Sequence, residues 1–119
     1  MSKKALRLGD YLQHMRDAAD RVQRYTAAKS QDDFAVDEQL QDAAVRNIEI
    51  IGEAARNISL HAEDFARENA QIPWGALYAM RNRLSHGYWT IDLAVVWRVI
   101  QRDLPALKEQ LDQLAPPNE

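Results

Sequence analysis

Nine consecutive residues, Arg81-Asn82-Arg83-Leu84-Ser85-His86-Gly87-Tyr88-Trp89, bring together a strong base, a titratable imidazole, a phenol and a hinge glycine. No Asp or Glu occurs between Glu68 and Asp92, so this stretch lies in the longest acid-free run of an acidic chain. Histidine exchanges protons near neutrality because its unperturbed pKa is about 6.5. Arginine stays cationic and presents a planar fork that matches phosphate oxygens. His86 and Arg81 together therefore suit metal-free cleavage of RNA. The imidazole would assist the ribose 2′-hydroxyl or the leaving 5′-oxygen, and the guanidinium would stabilise charge gathering on phosphorus. DNA lacks the internal nucleophile, so RNA is the substrate this chemistry expects, and it needs no cofactor and no metal.

Each of these residues also has a plainer reading. His86 alone would fit a structural cap or a satisfied polar contact. Asn82 could orient Arg81 or cap locally, and Arg83 could steer phosphate or be a solvated charge. Ser85 is at most a supporting residue. Tyr88 and Trp89 could be interface or core aromatics. His14 and His61 have no partners at metal or catalytic spacing and read as bland. Glu49 and Glu53, four apart on one helical face, read as solvated or salt-bridging carboxylates, because no Glu-x-x-His helix completes a di-metal site.

The elements that must position these residues are helices. Leu8, Leu12, Met15, Ala19 and Val22 repeat at helical spacing over Leu8 to Thr26, with Gly9 blurring the start and Asp10 a possible N-cap. Ser30-Gln31-Asp32-Asp33 breaks the pattern with turn and capping residues. Leu40, Ala44, Ile48, Ile51, Ala55 and Ile58 then predict a core helix over Asp37 to Ile58, with Asp37 at its positive end. Gly52 inside that helix costs about 1 kcal/mol against alanine, which predicts close approach of another backbone. A weaker helical stretch spans Glu63 to Asn69. Pro73 opens a further helix through Trp74, Leu77, Met80, Arg81 and Leu84, which Gly87 should close. The last segment starts near Thr90 or Asp92 and keeps its stripe from Leu93 to Leu114, with Pro105 expected to kink or divide it. The fold class expected is an all-α antiparallel bundle of four long helical segments plus a short one, with no strand alternation and no internal repeat.

The whole chain narrows the partners. Its 119 residues, 46% hydrophobic and 28% charged, suit one domain over 1–119 with residues 115–119 as a frayed tail. No apolar run approaches the roughly 20 residues that cross a bilayer, so no membrane partner is expected, and the amino terminus lacks the apolar core of a signal peptide. The absence of cysteine excludes thiolate catalysis and suits a reducing cytoplasm. A net charge of −3 argues against a general nucleic-acid coat, so contact with RNA must be local.

Geometry adds a constraint. Five residues along an unbroken helix turn about 140° around its axis, so Arg81 and His86 would not face one phosphate. Either Gly87 ends the helix early enough to swing His86 around, or a second copy completes the pair. Two-fold dimers, the commonest oligomers, set a segment near the axis against its own copy.

Arg81-Asn82 followed by His86 resembles the signature of the HEPN ribonuclease superfamily, and Arg81, four intervening residues, His86, one residue and Tyr88 resemble that of the HepT toxins. The resemblance continues through Val45-Arg46-Asn47-Ile48-Glu49-Ile50-Ile51-Gly52-Glu53-Ala54, Ile72-Pro73-Trp74, and Asp92 through Trp97 to Leu104-Pro105. It implies a helical, homodimeric, metal-independent endoribonuclease toxin of a type II-like (type VII) toxin–antitoxin system. It also implies an antitoxin of the minimal nucleotidyltransferase type (MntA) that transfers AMP from ATP onto Tyr88. An adenylate there would add negative charge and bulk where the RNA phosphate must sit. A noncatalytic helical adaptor that binds a nucleotidyltransferase or a nucleotide is the alternative.

Overall fold

Apolar spacing carries directly into the architecture: the stripe residues of the two longest helices are the residues that water does not reach. The computed structural model describes residues 3–86 and 91–114, without the side chains of residues 3–6 and 86. Gly87, Tyr88, Trp89, Thr90 and the tail 115–119 lie outside the described residues. Among the described residues every regular element is helical.

Helix α1 (Lys3–Thr26) starts before the sequence pattern suggested. It runs through Gly9 and Asp10, so Asp10 is not its cap. Packing decides this: Leu8, Leu12, Met15, Ala18, Ala19 and Val22 are all buried along one face, and their burial, at about 1.5–3 kcal/mol for each large side chain, outweighs the roughly 1 kcal/mol penalty of one glycine. Beyond Thr26 the chain turns at Ala28, which adopts φ 61°, a left-handed conformation uncommon outside glycine.

Of the turn and capping roles expected for Ser30 to Asp33, the structure shows capping: they start a short additional helix, α2 (Gln31–Val36). Ser30 and Asp33 form a reciprocal capping box: the Asp33 N–H donates to Ser30 Oγ at 3.1 Å and the Ser30 N–H donates to Asp33 Oδ2 at 2.9 Å. The Ser30 backbone N–H is the main reason the Asp33 carboxyl lies below its ordinary value, followed by the Ser30 hydroxyl. Phe34 is the apolar anchor of α2, buried against Trp97 with ring centroids 5.4 Å apart.

Asp37, expected at the positive end of the core helix, is the N-cap of α3 (Glu38–His61), its Oδ1 accepting the Leu40 N–H at 3.0 Å. All six stripe residues from Leu40 to Ile58 are buried, and α3 is the central rod, packed against both α1 and α5. Buried Asn47 is satisfied, accepting from Arg21 Nε at 2.8 Å and donating to the Ala43 carbonyl at 2.8 Å. After α4 (Glu63–Glu68), the Trp74 indole N–H donates to the carbonyls of Ala66 and Asn69 at 3.1 and 3.2 Å. That anchor fixes the start of α5 (Trp74–His86). Pro73 stands just before the helix, its carbonyl accepting the Leu77 N–H at 3.0 Å.

Asp92 caps α6 (Leu93–Arg98), its Oδ1 accepting the Ala94 N–H at 2.9 Å. Pro105 does divide this last segment, but by a widened turn and not a break. Residues Val99–Asp103 form a π-helical turn, in which the Leu104 N–H donates to the Val99 carbonyl, and α7 (Leu104–Asp112) continues with right-handed helical backbone throughout. Proline offers no N–H to the carbonyl four residues back and its ring collides with it; widening the turn relieves both problems. Leu104, Leu107 and Leu111 thereby stay buried. Arg16 Nη2 donates to the Leu111 carbonyl at 2.6 Å and Lys108 pairs with Asp20 at 3.1 Å, tying α7 back to α1. Among the described residues the bundle thus has the four long segments expected, counting α6 to α7 as one rod, and two short helices in place of one. No described helix is long and apolar enough to cross a membrane.

Candidate functional site

Helix α5 lies antiparallel along α3, and the seam between them is held by three side-chain contacts. The Arg56 guanidinium sits over the Tyr78 ring, 4.6 Å from its centroid. Arg81 Nε lies 3.2 Å from Glu53 Oε2. Ser85 Oγ donates to Glu49 Oε2 at 2.5 Å. Residue numbers rise on α5 as they fall on α3, so each contact is one turn further along the same seam.

The close approach predicted at Gly52 is there, and its neighbour is Arg81. A Cβ on residue 52 would stand 2.3 Å from Arg81 Cβ and 2.6 Å from the Leu77 carbonyl oxygen. Only glycine leaves the notch in which the Arg81 stem and the α5 backbone lie. Arg81 Nη1 also donates to Asn82 Oδ1 at 3.1 Å. The guanidinium is thus held from two sides while the side chain keeps 32% of its surface exposed. A cation restrained in this way and still open to solvent can receive a phosphate oxygen without first losing much side-chain freedom.

The remaining motif residues divide. Asn82 contacts Arg81 directly, its Oδ1 accepting from the guanidinium. Ser85 is exposed and bonded to Glu49. Arg83 is not brought to Arg81; it is exposed and lines a separate hollow of about 300 Å³ with Met80, Leu84, Ile91, Asp92 and Val95. The backbone of α5 is helical through His86, so it does not turn aside before that residue. Its Cα therefore sits about 140° around the axis from that of Arg81. The His86 side chain and the whole of Tyr88 lie outside the described residues.

Three side chains that spacing along the chain does not connect with Arg81 share a cleft with it. Tyr11 and His14 on α1 line a cleft of about 310 Å³ together with Arg46, Glu49 and Glu53 on α3 and Arg81 on α5. The Tyr11 and His14 rings meet edge to face at 6.5 Å. His14, read as bland from its lack of sequence partners, owes its place to the packing of α1 on α3, which spacing along one chain segment cannot reveal. The salt-bridging reading of Glu53 holds, although its partner, Arg81, could not be named from sequence. Trp74 packs on Phe65 and Trp97 on Phe34, as expected of core aromatics. Among the described residues no three His, Asp or Glu side chains converge as metal ligands.

Comparison with known proteins gives a consistent picture. The family model described as "Ribonuclease HepT-like" matches residues 15–114. A Thermococcus cleftensis protein named "Probable ribonuclease HepT" is 36% identical over 105 residues, which cover 88% of this chain and 93% of that protein. A longer Methanocaldococcus jannaschii protein, "Gamma-glutamylcyclotransferase and putative RNase", is 39% identical over 101 residues, and this chain covers only 44% of its length. No solved structure matches.

Proposed function

This chain belongs to the HepT-like ribonuclease family, and from that premise we propose that it is a metal-independent endoribonuclease whose site pairs Arg81 of one copy with His86 of another. The observation that carries the reading is the restraint of Arg81: the Gly52 notch, Glu53 and Asn82 fix its guanidinium at the mouth of a cleft while leaving it open to solvent. Burial and backbone close approach are used to place one cation, which is what a site for transition-state charge requires.

In the reaction the ribose 2′-oxygen attacks phosphorus and the P–O5′ bond breaks, leaving a 2′,3′-cyclic phosphate and a 5′-hydroxyl. Arg81 takes the charge that accumulates on the non-bridging oxygens. His86 handles the proton, which is lost by the 2′-hydroxyl and gained by the 5′-oxygen. Helical backbone through His86 puts the Cα atoms of residues 81 and 86 about 140° apart around α5, which favours completion of the site by a second copy over a pair within one chain. Asn82 holds Arg81, and Ser85 steadies the seam through Glu49.

In this reading the protein is the toxin of a toxin–antitoxin pair. Its antitoxin, a minimal nucleotidyltransferase, joins the Tyr88 phenolic oxygen to the α-phosphorus of ATP with release of pyrophosphate, and the adenylate blocks RNA. The family resemblance of the Arg81, His86 and Tyr88 spacing supports this assignment. The ribonuclease reading is tested by incubating RNA with the wild-type chain and with His86→Ala in the presence of a chelator. Wild-type cleavage that the substitution abolishes is expected; equal cleavage by both would overturn it.

A further inference from the structure

We propose that the hollow between α1 and α3 beside Arg81 is a nucleotide subsite that receives an unpaired base next to the scissile phosphate of a single-stranded RNA. This rests on the ribonuclease reading and extends it from the reacting phosphate to the flanking nucleotide.

The chemistry of the hollow is that of a base rather than of a free anion. Arg46 and Arg81 are matched in number by Glu49 and Glu53, so the charges lining it balance and a free anion inside the hollow gains little. Its floor is apolar, formed by Ile50 and Ala54, and Tyr11 is half-buried against the core with the His14 ring edge-on to it. Aromatic faces over an apolar floor stack with any base, and the Glu49 carboxylate and the Asn57 amide supply polar partners for a base edge. A volume of about 310 Å³ is at the lower end of small-molecule pockets, the scale of one nucleotide.

The position agrees with the chemistry. Arg81 is tied to Glu53, and Arg46 lies seven residues before Glu53 on the same helix, roughly 10 Å along the axis at 1.5 Å per residue. Two cations thus follow the aromatic pair along one helix seam, one for the scissile phosphate and one for a neighbouring phosphate. The hollow opens on solvent and has Arg81 in its wall, so a strand bound at Arg81 must pass over or into it.

The test is steady-state cleavage of a labelled single-stranded oligoribonucleotide by the full chain carrying Tyr11→Leu, Tyr11→Phe or Arg46→Gln, with thermal unfolding and light scattering on each. Tyr11→Leu and Arg46→Gln should raise KM about fivefold or more with kcat within about twofold of wild type, and Tyr11→Phe, which keeps the ring, should restore KM. Arg46 is exposed, so its variant remains informative if Tyr11→Leu does not fold. Unchanged KM in Arg46→Gln and in a folded Tyr11 variant would overturn the subsite and leave the ribonuclease reading standing. Loss of the wild-type oligomer in these variants would also overturn it, because the hollow would then be a contact between copies. A wild-type chain that cleaves no RNA would overturn both readings.

Discussion

Gly52 on α3 and Arg81 on α5 are in contact across the helix seam, with no room for a methyl group between them: a Cβ on residue 52 would stand 2.3 Å from Arg81 Cβ. Gly52→Ala gains about 1 kcal/mol of intrinsic helix propensity and costs about 1–3 kcal/mol of overpacking. The second term wins, because the Leu77 carbonyl, 2.6 Å from the added carbon, is backbone that cannot rotate away. Thermal unfolding should therefore show a lower Tm, and cleavage should fall further than Tm implies, because the side chain that gives way is Arg81. A Tm at or above wild type with full activity would show that the notch has no such role.

Glu53 is expected to hold Arg81 rather than to act as an acid or base. Glu53→Gln retains an acceptor for Arg81 Nε and removes a negative charge from the cleft, so it should bind RNA more tightly at low salt and keep most of its kcat. Glu53→Ala frees the guanidinium and should lower kcat. Fluorescence anisotropy at two salt concentrations, with cleavage rates on both variants, separates these outcomes. Equal loss of kcat in both would make the carboxylate itself part of the chemistry.

Arg81→Lys keeps the charge but not the fork, and Arg81→Ala keeps neither. Removing one preorganised charge-stabilising donor typically costs 10²–10³ in kcat, so Arg81→Ala should fall by about that factor and Arg81→Lys should be intermediate. Single-turnover cleavage reads the chemical step. A lysine variant as active as wild type would mean that the two-sided restraint by Glu53 and Asn82 is dispensable.

Acid stability follows from two carboxylates. Asp33 is held below its ordinary value of 3.8 by the Ser30 backbone N–H and then the Ser30 hydroxyl. Asp20 is held below 3.8 by its hydrogen bond to Lys108 and then by that charge. A carboxyl whose pKa is depressed by folding contributes stability in full above its unfolded value and loses it as pH falls through the folded one. Asp33→Asn should accordingly lower Tm at neutral pH, with the gap to wild type closing below about pH 3.8. A gap independent of pH would assign the effect to shape and not to charge.

The helices were legible because burial follows spacing: the stripes of α1, α3 and α7 needed no partner to be read. Asp92 was legible as a cap, and Asp37 as an acid at the start of α3, because both signals are local. The start of α1 was not, since packing of Leu8 and Leu12 carries the helix through Gly9. Helix α2 was not, since Ser30 and Asp33 look the same whether they cap a helix or make a turn, and one buried anchor, Phe34, leaves no period. At the site, Gly52 announced a close neighbour without naming Arg81. Arg46 stood in a block that resembles the family and His14 was visible as a lone imidazole, but nothing in the sequence joined either of them, or Tyr11, to Arg81, because helix packing alone brings them to one cleft.

The central claim is that Arg81 and His86 cleave RNA across two copies of the chain, and mixing two inactive proteins tests it most directly. Arg81→Ala and His86→Ala chains, each inactive alone, are unfolded, combined in equal amounts and refolded, and RNA cleavage is measured in chelator. A shared site predicts recovery of about a quarter of wild-type activity, because half of the dimers are mixed and each mixed dimer has one of its two sites intact. No recovery, with mixed dimers demonstrated by mass spectrometry, would contradict it.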